Sequence, residues 1–179
     1  MDFRRTIITL LSFLVMCAAP AAEGKRFQPA EQLSFSAEDD SVKNPVVIPR
    51  DVLAILSKDK LVREELENEG LPAEKIPSSW FSASAIHLSH ANAAYLIVMS
   101  VGPVHGANTT MFWAFRPTHS GHDLIFTGGG HTLTAKNTRW NGYREIETLS
   151  VVTQKLATVV YRFDGTRYIR YKDKLEEIK

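Results

Sequence analysis

Hydrophobic residues follow three different patterns along the chain. Residues 6–17 form one apolar run behind Arg4 and Arg5, and small residues follow it: Ala18, Ala19, Pro20, Ala21 and Ala22. Between Pro49 and Gly70 the apolar positions recur at helical spacing, first Val52, Leu53, Ile55 and Leu56, then Leu61, Val62 and Leu66. Pro49 suits the opening turn and Asp51 the positive helix end, Ser57, Lys58 and Asp59 interrupt the pattern, and Gly70 with Pro72 ends it.

From Trp80 the period becomes that of strands. Eight runs are predicted, over 81–88, 94–101, 111–116, 123–127, 131–136, 143–149, 156–163 and 167–171. The run 94–101 (AYLIVMSV) is almost wholly apolar and predicts a central strand buried on both faces. Ser120-Gly121, Gly128-Gly129-Gly130, Asn141-Gly142 and Asp164-Gly165 supply the turns, and the last reads as a short hairpin. Residues 33–35 predict a short edge strand. The expected fold class is α+β: N-terminal helical segments, then an antiparallel meander of about seven to eight strands in a single sheet or partly closed barrel.

The first pattern has the order basic, apolar, small, which is that of a secretory signal peptide. The run falls short of the ~20 residues that span a bilayer. The expected organisation is a signal peptide at 1–21, a flexible leader at 22–44, a single α+β domain at 45–172 and a polar tail at 173–179. The membrane then matters only for export, to a periplasmic or extracellular destination. Met16, where lipid attachment wants a small residue, argues against lipidation at Cys17. Cleavage after Ala21 removes the single cysteine. A chain so processed has no disulfide, no thiolate metal ligand and no cysteine nucleophile.

Composition sets outer limits. Of 179 residues 44% are hydrophobic and 23% charged, which excludes a fully disordered chain, a collagen-like chain and a multi-pass membrane protein. Lys plus Arg number 21 against 20 for Asp plus Glu, so no general electrostatic force draws the protein to nucleic acid.

Histidine is unevenly placed. All six lie between His87 and His131, with two pairs at ligand-like spacing, His87/His90 and His119/His122. No acidic residue occurs between Glu74 and Asp123. A site made from His105, His119, His122 and His131 would be imidazole-rich, and zinc is the metal it suits. With an open coordination position and Glu145 as base it would make a metal-dependent hydrolase. Neither pair belongs to an HExxH motif. Glu145 and Glu147, two apart on a strand, share one face, with Ile146 turned to the core. The Thr127-Gly-Gly-Gly-His131 run lacks the lysine and helix of a phosphate loop. No serine lies in a nucleophile elbow. Trp140, alone among the large aromatics, lies in a polar turn, where its ring can face a partner.

Several short motifs carry a resemblance: Ile48-Pro-Arg-Asp-Val-Leu53, Ser79-Trp-Phe-Ser-Ala83, Tyr95-Leu-Ile-Val98, Gly106-Ala-Asn108 with Phe112-Trp113, Asn141-Gly-Tyr-Arg-Glu-Ile146, and Tyr161-Arg-Phe-Asp-Gly165 with Tyr168. The stretch they cover, 49–171, resembles a family of small, uncharacterised secreted bacterial proteins. That resemblance implies structural turns and core aromatics, and it carries no activity. Members with an acidic Asp-Leu-Asn-Gly-Asp-like turn before the central strand differ here, where the chain reads His87-Leu-Ser-His90-Ala-Asn92 and so departs from a calcium-type turn.

The expected function is a secreted or periplasmic non-enzymatic binding module, of inhibitor or immunity type, for a protein or a cell-wall glycan. It needs no cofactor, and the zinc hydrolase is the alternative. The expected contact residues are His105, Asn108, Trp140, Asn141 and Tyr143, on the loops 89–93, 102–110 and 137–142, since loops on a rigid sheet commonly carry function.

Overall fold

The computed structural model describes residues 31–178 apart from Asn92. In order the elements are β1 (Ser34–Ser36), α1 (Arg50–Leu56), α2 (Lys60–Asn68), β2 (Phe81–Ile86), β3 (Tyr95–Ser100), β4 (Thr110–Thr118), β5 (Gly121–Gly130), β6 (Thr132–Trp140), β7 (Tyr143–Val152), β8 (Lys155–Phe163) and β9 (Tyr168–Glu177). Single 3₁₀ turns at Ala73–Lys75 and Ser78–Trp80 link α2 to β2.

The strands form two antiparallel sheets, β2-β3-β4-β5 and β1-β6-β7-β8-β9. The α+β expectation is therefore corrected. The fold is mostly antiparallel β, nine strands in two sheets, and the helices are two short segments of seven and nine residues. A single continuous meander is also overturned, because the chain changes sheets between β5 and β6. Gly130 marks the change. A Cβ there would stand 3.0 Å from the Leu149 carbonyl oxygen and 3.2 Å from that of Thr132, so a larger residue would displace backbone. The next amide, His131 N–H, donates to the same Leu149 carbonyl at 2.7 Å and fixes the crossing.

β3 is buried along its whole length, as its apolar run implies. Tyr95, Ile97 and Met99 point between the sheets, where they meet Phe35, Phe112, Leu133, Ile146 and Phe163. Leu96 and Val98 point the other way, into a second core with Val52, Leu56, Val62, Leu66, Trp113 and Phe115. The layers are thus helices, four-stranded sheet, five-stranded sheet.

Asp59 explains the break between the helices. One carboxylate oxygen caps α2 by accepting from Leu61 N–H at 3.0 Å, and the other accepts from the buried Trp113 Nε1–H at 3.1 Å. α1 is tied to β5 by Asp51, whose carboxylate lies 2.9 Å from His122 Nδ1.

Two boundaries also change. Within the expected leader, residues 34–36 pair with β6, and Phe35 and Val42 belong to the inter-sheet core. The Gln32 side chain holds this segment by accepting from Lys43 N–H at 2.7 Å and donating to the Ser34 carbonyl at 2.9 Å. Apolar residues too sparse to show a period still supply two buried anchors. At the other end β9 continues to Glu177, so most of the expected tail is an edge strand, exposed beyond Tyr168 and paired to β8. The expected signal peptide lies outside the described residues. Among those described, no helix is long and apolar enough to cross a membrane.

Candidate functional site

Among the described residues no layer covers the outer face of the five-stranded sheet, and one end of it carries an ordered cluster of side chains. Two hairpin tips meet there. Between Trp140 and Tyr143 the turn residues Asn141 (φ 49°) and Gly142 (φ 79°) both adopt left-handed conformations, as a two-residue hairpin with the strand's own twist requires. In the neighbouring tip the Asp164 carboxylate accepts from Thr166 and Arg167 N–H at 2.8 and 2.9 Å, bonds that hold its pKa below the usual range. The Asn141 side chain donates to the Phe163 carbonyl at 3.4 Å and joins the two tips.

Two irregularities in strand register shape the cluster. In β6, Ala135 pairs with Ile146 and Arg139 with Arg144, so three residues face the single Glu145 of β7. In β9, Lys172 pairs with Val160 and Arg170 with Tyr161, which leaves Tyr171 as the extra residue of a bulge. Bulges re-aim side chains, and this one brings the Tyr171 ring against Arg162 of β8. The guanidinium carbon lies 3.3 Å from the Tyr171 ring centre and 4.4 Å from that of Trp140. The cation is held between two aromatic rings.

Glu145 fixes that cation. Its carboxylate accepts from Arg162 Nε–H at 2.6 Å and from the Thr138 hydroxyl at 2.5 Å. The residue is only 8% exposed. The Thr138 hydroxyl and the guanidinium outweigh its burial and hold the carboxyl below the usual range. The same pair raises the pKa of Arg162. Glu147, two residues on, accepts from Lys136 Nζ at 2.7 Å. Both carboxylates of the strip are thus paired with cations, and neither stands free as a general base. Glu145 is roofed over rather than facing solvent.

The rings themselves stay accessible, Trp140 47% and Tyr171 55% exposed, with Ile169 beside them at 44%. Ile169 lies directly opposite Arg162 in the ladder. A shallow cleft of about 620 Å³ runs between the hairpins, lined in part by Trp140, Asn141, Asp164 and Arg170.

The five residues expected to make contact do not form one surface. Trp140 and Asn141 belong to this cluster. Tyr143 turns inward, where it stacks on Phe163 at 3.9 Å and its hydroxyl accepts from Tyr95. His105 and Asn108 lie in the β3–β4 loop, with His105 Nδ1 3.3 Å from the Ser100 carbonyl and the Asn108 carbonyl 3.3 Å from His131 Nδ1. His131 adjoins the start of β6 and Trp140 ends it, so nine strand residues, roughly 25 Å, separate the two groups. Of the three expected loops, 89–93 joins 137–142 through a bridge between Ser89 and Tyr143, and 102–110 lies at the far end.

The expected zinc ligands also stand apart. His105 meets Ser100, His122 meets Asp51, His131 meets Asn108 and Glu38, and His119 sits at the β4–β5 turn. His87 pairs with Glu31. Among the described residues no group of three or more His, Cys, Asp or Glu side chains is placed to hold a metal ion. Apart from His122 in β5 the histidines lie in the connections between strands, and the four expected ligands are spread over the β3–β4, β4–β5 and β5–β6 connections.

Arg162, Tyr171 and Ile169 were not expected at the site. Alternation along β8 places Arg162 on the face opposite Tyr161 and Phe163, and the Asp164-Gly165 turn pins its register, so Arg162 and Ile169 were readable from the pattern. Tyr171 depends on the bulge, which the pattern does not announce. Comparison with protein-family models, with curated proteins and with solved structures finds no match to this chain.

Proposed function

We propose that this chain is a non-enzymatic binding module that takes a protein partner on the Trp140–Arg162–Tyr171 face. The observation that carries the reading is the pre-set stack of two exposed rings on a guanidinium held by a buried carboxylate. Trp, Tyr and Arg are the residues that dominate protein interfaces, and rigid anchors lose little entropy on binding. A glycan is the weaker fit, because Arg162 already covers one face of each ring and a sugar stacks on such faces. The N-terminal sequence pattern supports export to the periplasm or beyond as the setting.

The test places the photoreactive residue p-benzoylphenylalanine at position 169 and illuminates the protein in an envelope extract. The expected result is a discrete protein adduct that disappears in the Trp140→Ala/Tyr171→Ala background. An adduct that survives both truncations overturns the reading. Quenching of tryptophan fluorescence by cell-wall glycan fragments, with no protein adduct, would move it to a glycan.

A further inference from the structure

We infer a second binding site, independent of the aromatic face, in the cleft between α1, α2 and the Ala73–Lys75 turn, and assign it to an acidic, aliphatic peptide segment. The cleft is about 770 Å³, the size of a peptide-side-chain or small-ligand site. Its floor includes Leu53, Ala54 and Ile76, and its rim carries Arg50, Lys58 and Arg63. Glu74 is the one acidic lining residue, so the lining holds three cations against one anion.

These cations are unspent. Lys60 pairs with Glu64, Arg116, Lys136 and Arg162 of the strands pair with Asp123, Glu147 and Glu145, and Arg139 and Arg144 donate to carbonyl oxygens, but no ion pair among the described residues involves Arg50, Lys58 or Arg63. Among the described residues their side chains make no hydrogen bond either. What sets these three apart is that they gather around one aliphatic trough, and three cations without an ionic partner in one cleft mark a place where anions are met from outside.

Their spacing selects the ligand. Arg50 opens α1 and Lys58 follows its end, so the seven-residue helix, about 10 Å long, lies between them. An anion with a single head group reaches one end only. An extended chain advances ~3.3 Å per residue, so carboxylates three or four residues apart reach both ends while aliphatic side chains between them cover Leu53 and Ile76.

The test uses two fluorescein-labelled pentapeptides, Glu-Leu-Ala-Leu-Glu and its Gln-Leu-Ala-Leu-Gln counterpart, with fluorescence anisotropy on the full chain. The acidic peptide is expected to bind at least ten times more tightly, with affinity falling as salt rises. Lys58→Glu/Arg63→Glu, at exposed positions that leave the fold intact by circular dichroism, should abolish that binding and confer affinity for Lys-Leu-Ala-Leu-Lys. Trp140→Ala/Tyr171→Ala should leave it unchanged, which separates this site from the aromatic face. Equal binding of the Glu and Gln peptides, or no binding of either, overturns the assignment. So does tight binding of dodecanoate with none of the acidic peptide, which would make the cleft a site for a single-headed amphiphile.

Discussion

The two sheets differ in what covers them. The four-stranded sheet has the helices on one face and its partner sheet on the other, and β3 is apolar at every position but its last, Ser100. Among the described residues the five-stranded sheet is covered on one side. Its strand β7 alternates: Ile146 lies inward, and Glu145 and Glu147 lie outward, paired with cations. Continuous apolar sequence thus marks the layer that holds the molecule together. Alternating sequence marks the layer with a face to spare, and the ordered aromatic–cation cluster lies there.

The largest expected difference is between two tryptophans. Trp113 is fully buried on the helix-facing side of β4, and its Nε1–H donates to the cap residue Asp59. Trp113→Ala should cost roughly 3–5 kcal/mol in urea unfolding, by cavity formation. If Trp140→Ala, on the uncovered face, costs as much, the comparison between the sheets fails.

A smaller effect is expected at Glu145, the one place where the uncovered face is buried. Glu145→Gln should cost roughly 1–2 kcal/mol at neutral pH, as for a charge-assisted hydrogen bond lost. Its folded carboxyl is held below the usual range, chiefly by Thr138 and Arg162. Its stabilising share is therefore complete above the unfolded value, about 4.3, and disappears as pH falls through the lower folded value. The unfolding curves of wild type and variant should differ most above the unfolded value and converge as pH falls below it. A gap that widens in acid would show that the carboxylate is not the stabilised form.

Next is the tie between layers. Asp51→Asn weakens the contact with His122 and should cost about 0.5 kcal/mol, because the carboxylate is part-exposed and screened. Amide exchange should quicken in α1 and not in β7. The smallest stability effect belongs to Trp140→Ala/Tyr171→Ala. Each change at an exposed position is expected to cost about 0.5 kcal/mol or less, while partner binding is lost. Thermal melting beside the crosslinking assay separates the two.

How much was legible depended on how locally each feature is encoded. All eight strand runs and the short edge strand are present, because alternation and turn residues are local signals. Their division into two sheets was not legible. It depends on the crossing at Gly130, where a glycine run that reads as an ordinary turn sends the next strand to the other layer. The helices drew attention by their clear period, yet their two short stretches serve as a cover for β3. At the site, Trp140 and Asn141 were found because an aromatic in a polar turn is conspicuous. In the sequence Arg162 is one charge among many on the strands, and Tyr171 depends on a register shift that only pairing reveals. The histidines misled for the converse reason: each short-spaced pair stays at its own connection, His87 and His90 after β2 and His119 and His122 at the β4–β5 turn, and among the described residues no third ligand joins either pair.

The edge strand β1 has a consequence in time. Ser34 pairs with Thr134, across one hundred residues of chain. Closing so long a loop is entropically slow to reward, and contacts of this separation form late in folding. A nascent chain emerging from its N-terminus makes β1 first and can seat it only after β6 has been made. Until then Phe35 has no core to enter. Of the described strands β1 therefore waits longest between synthesis and pairing, and blocking it would leave Phe35 outside the inter-sheet core.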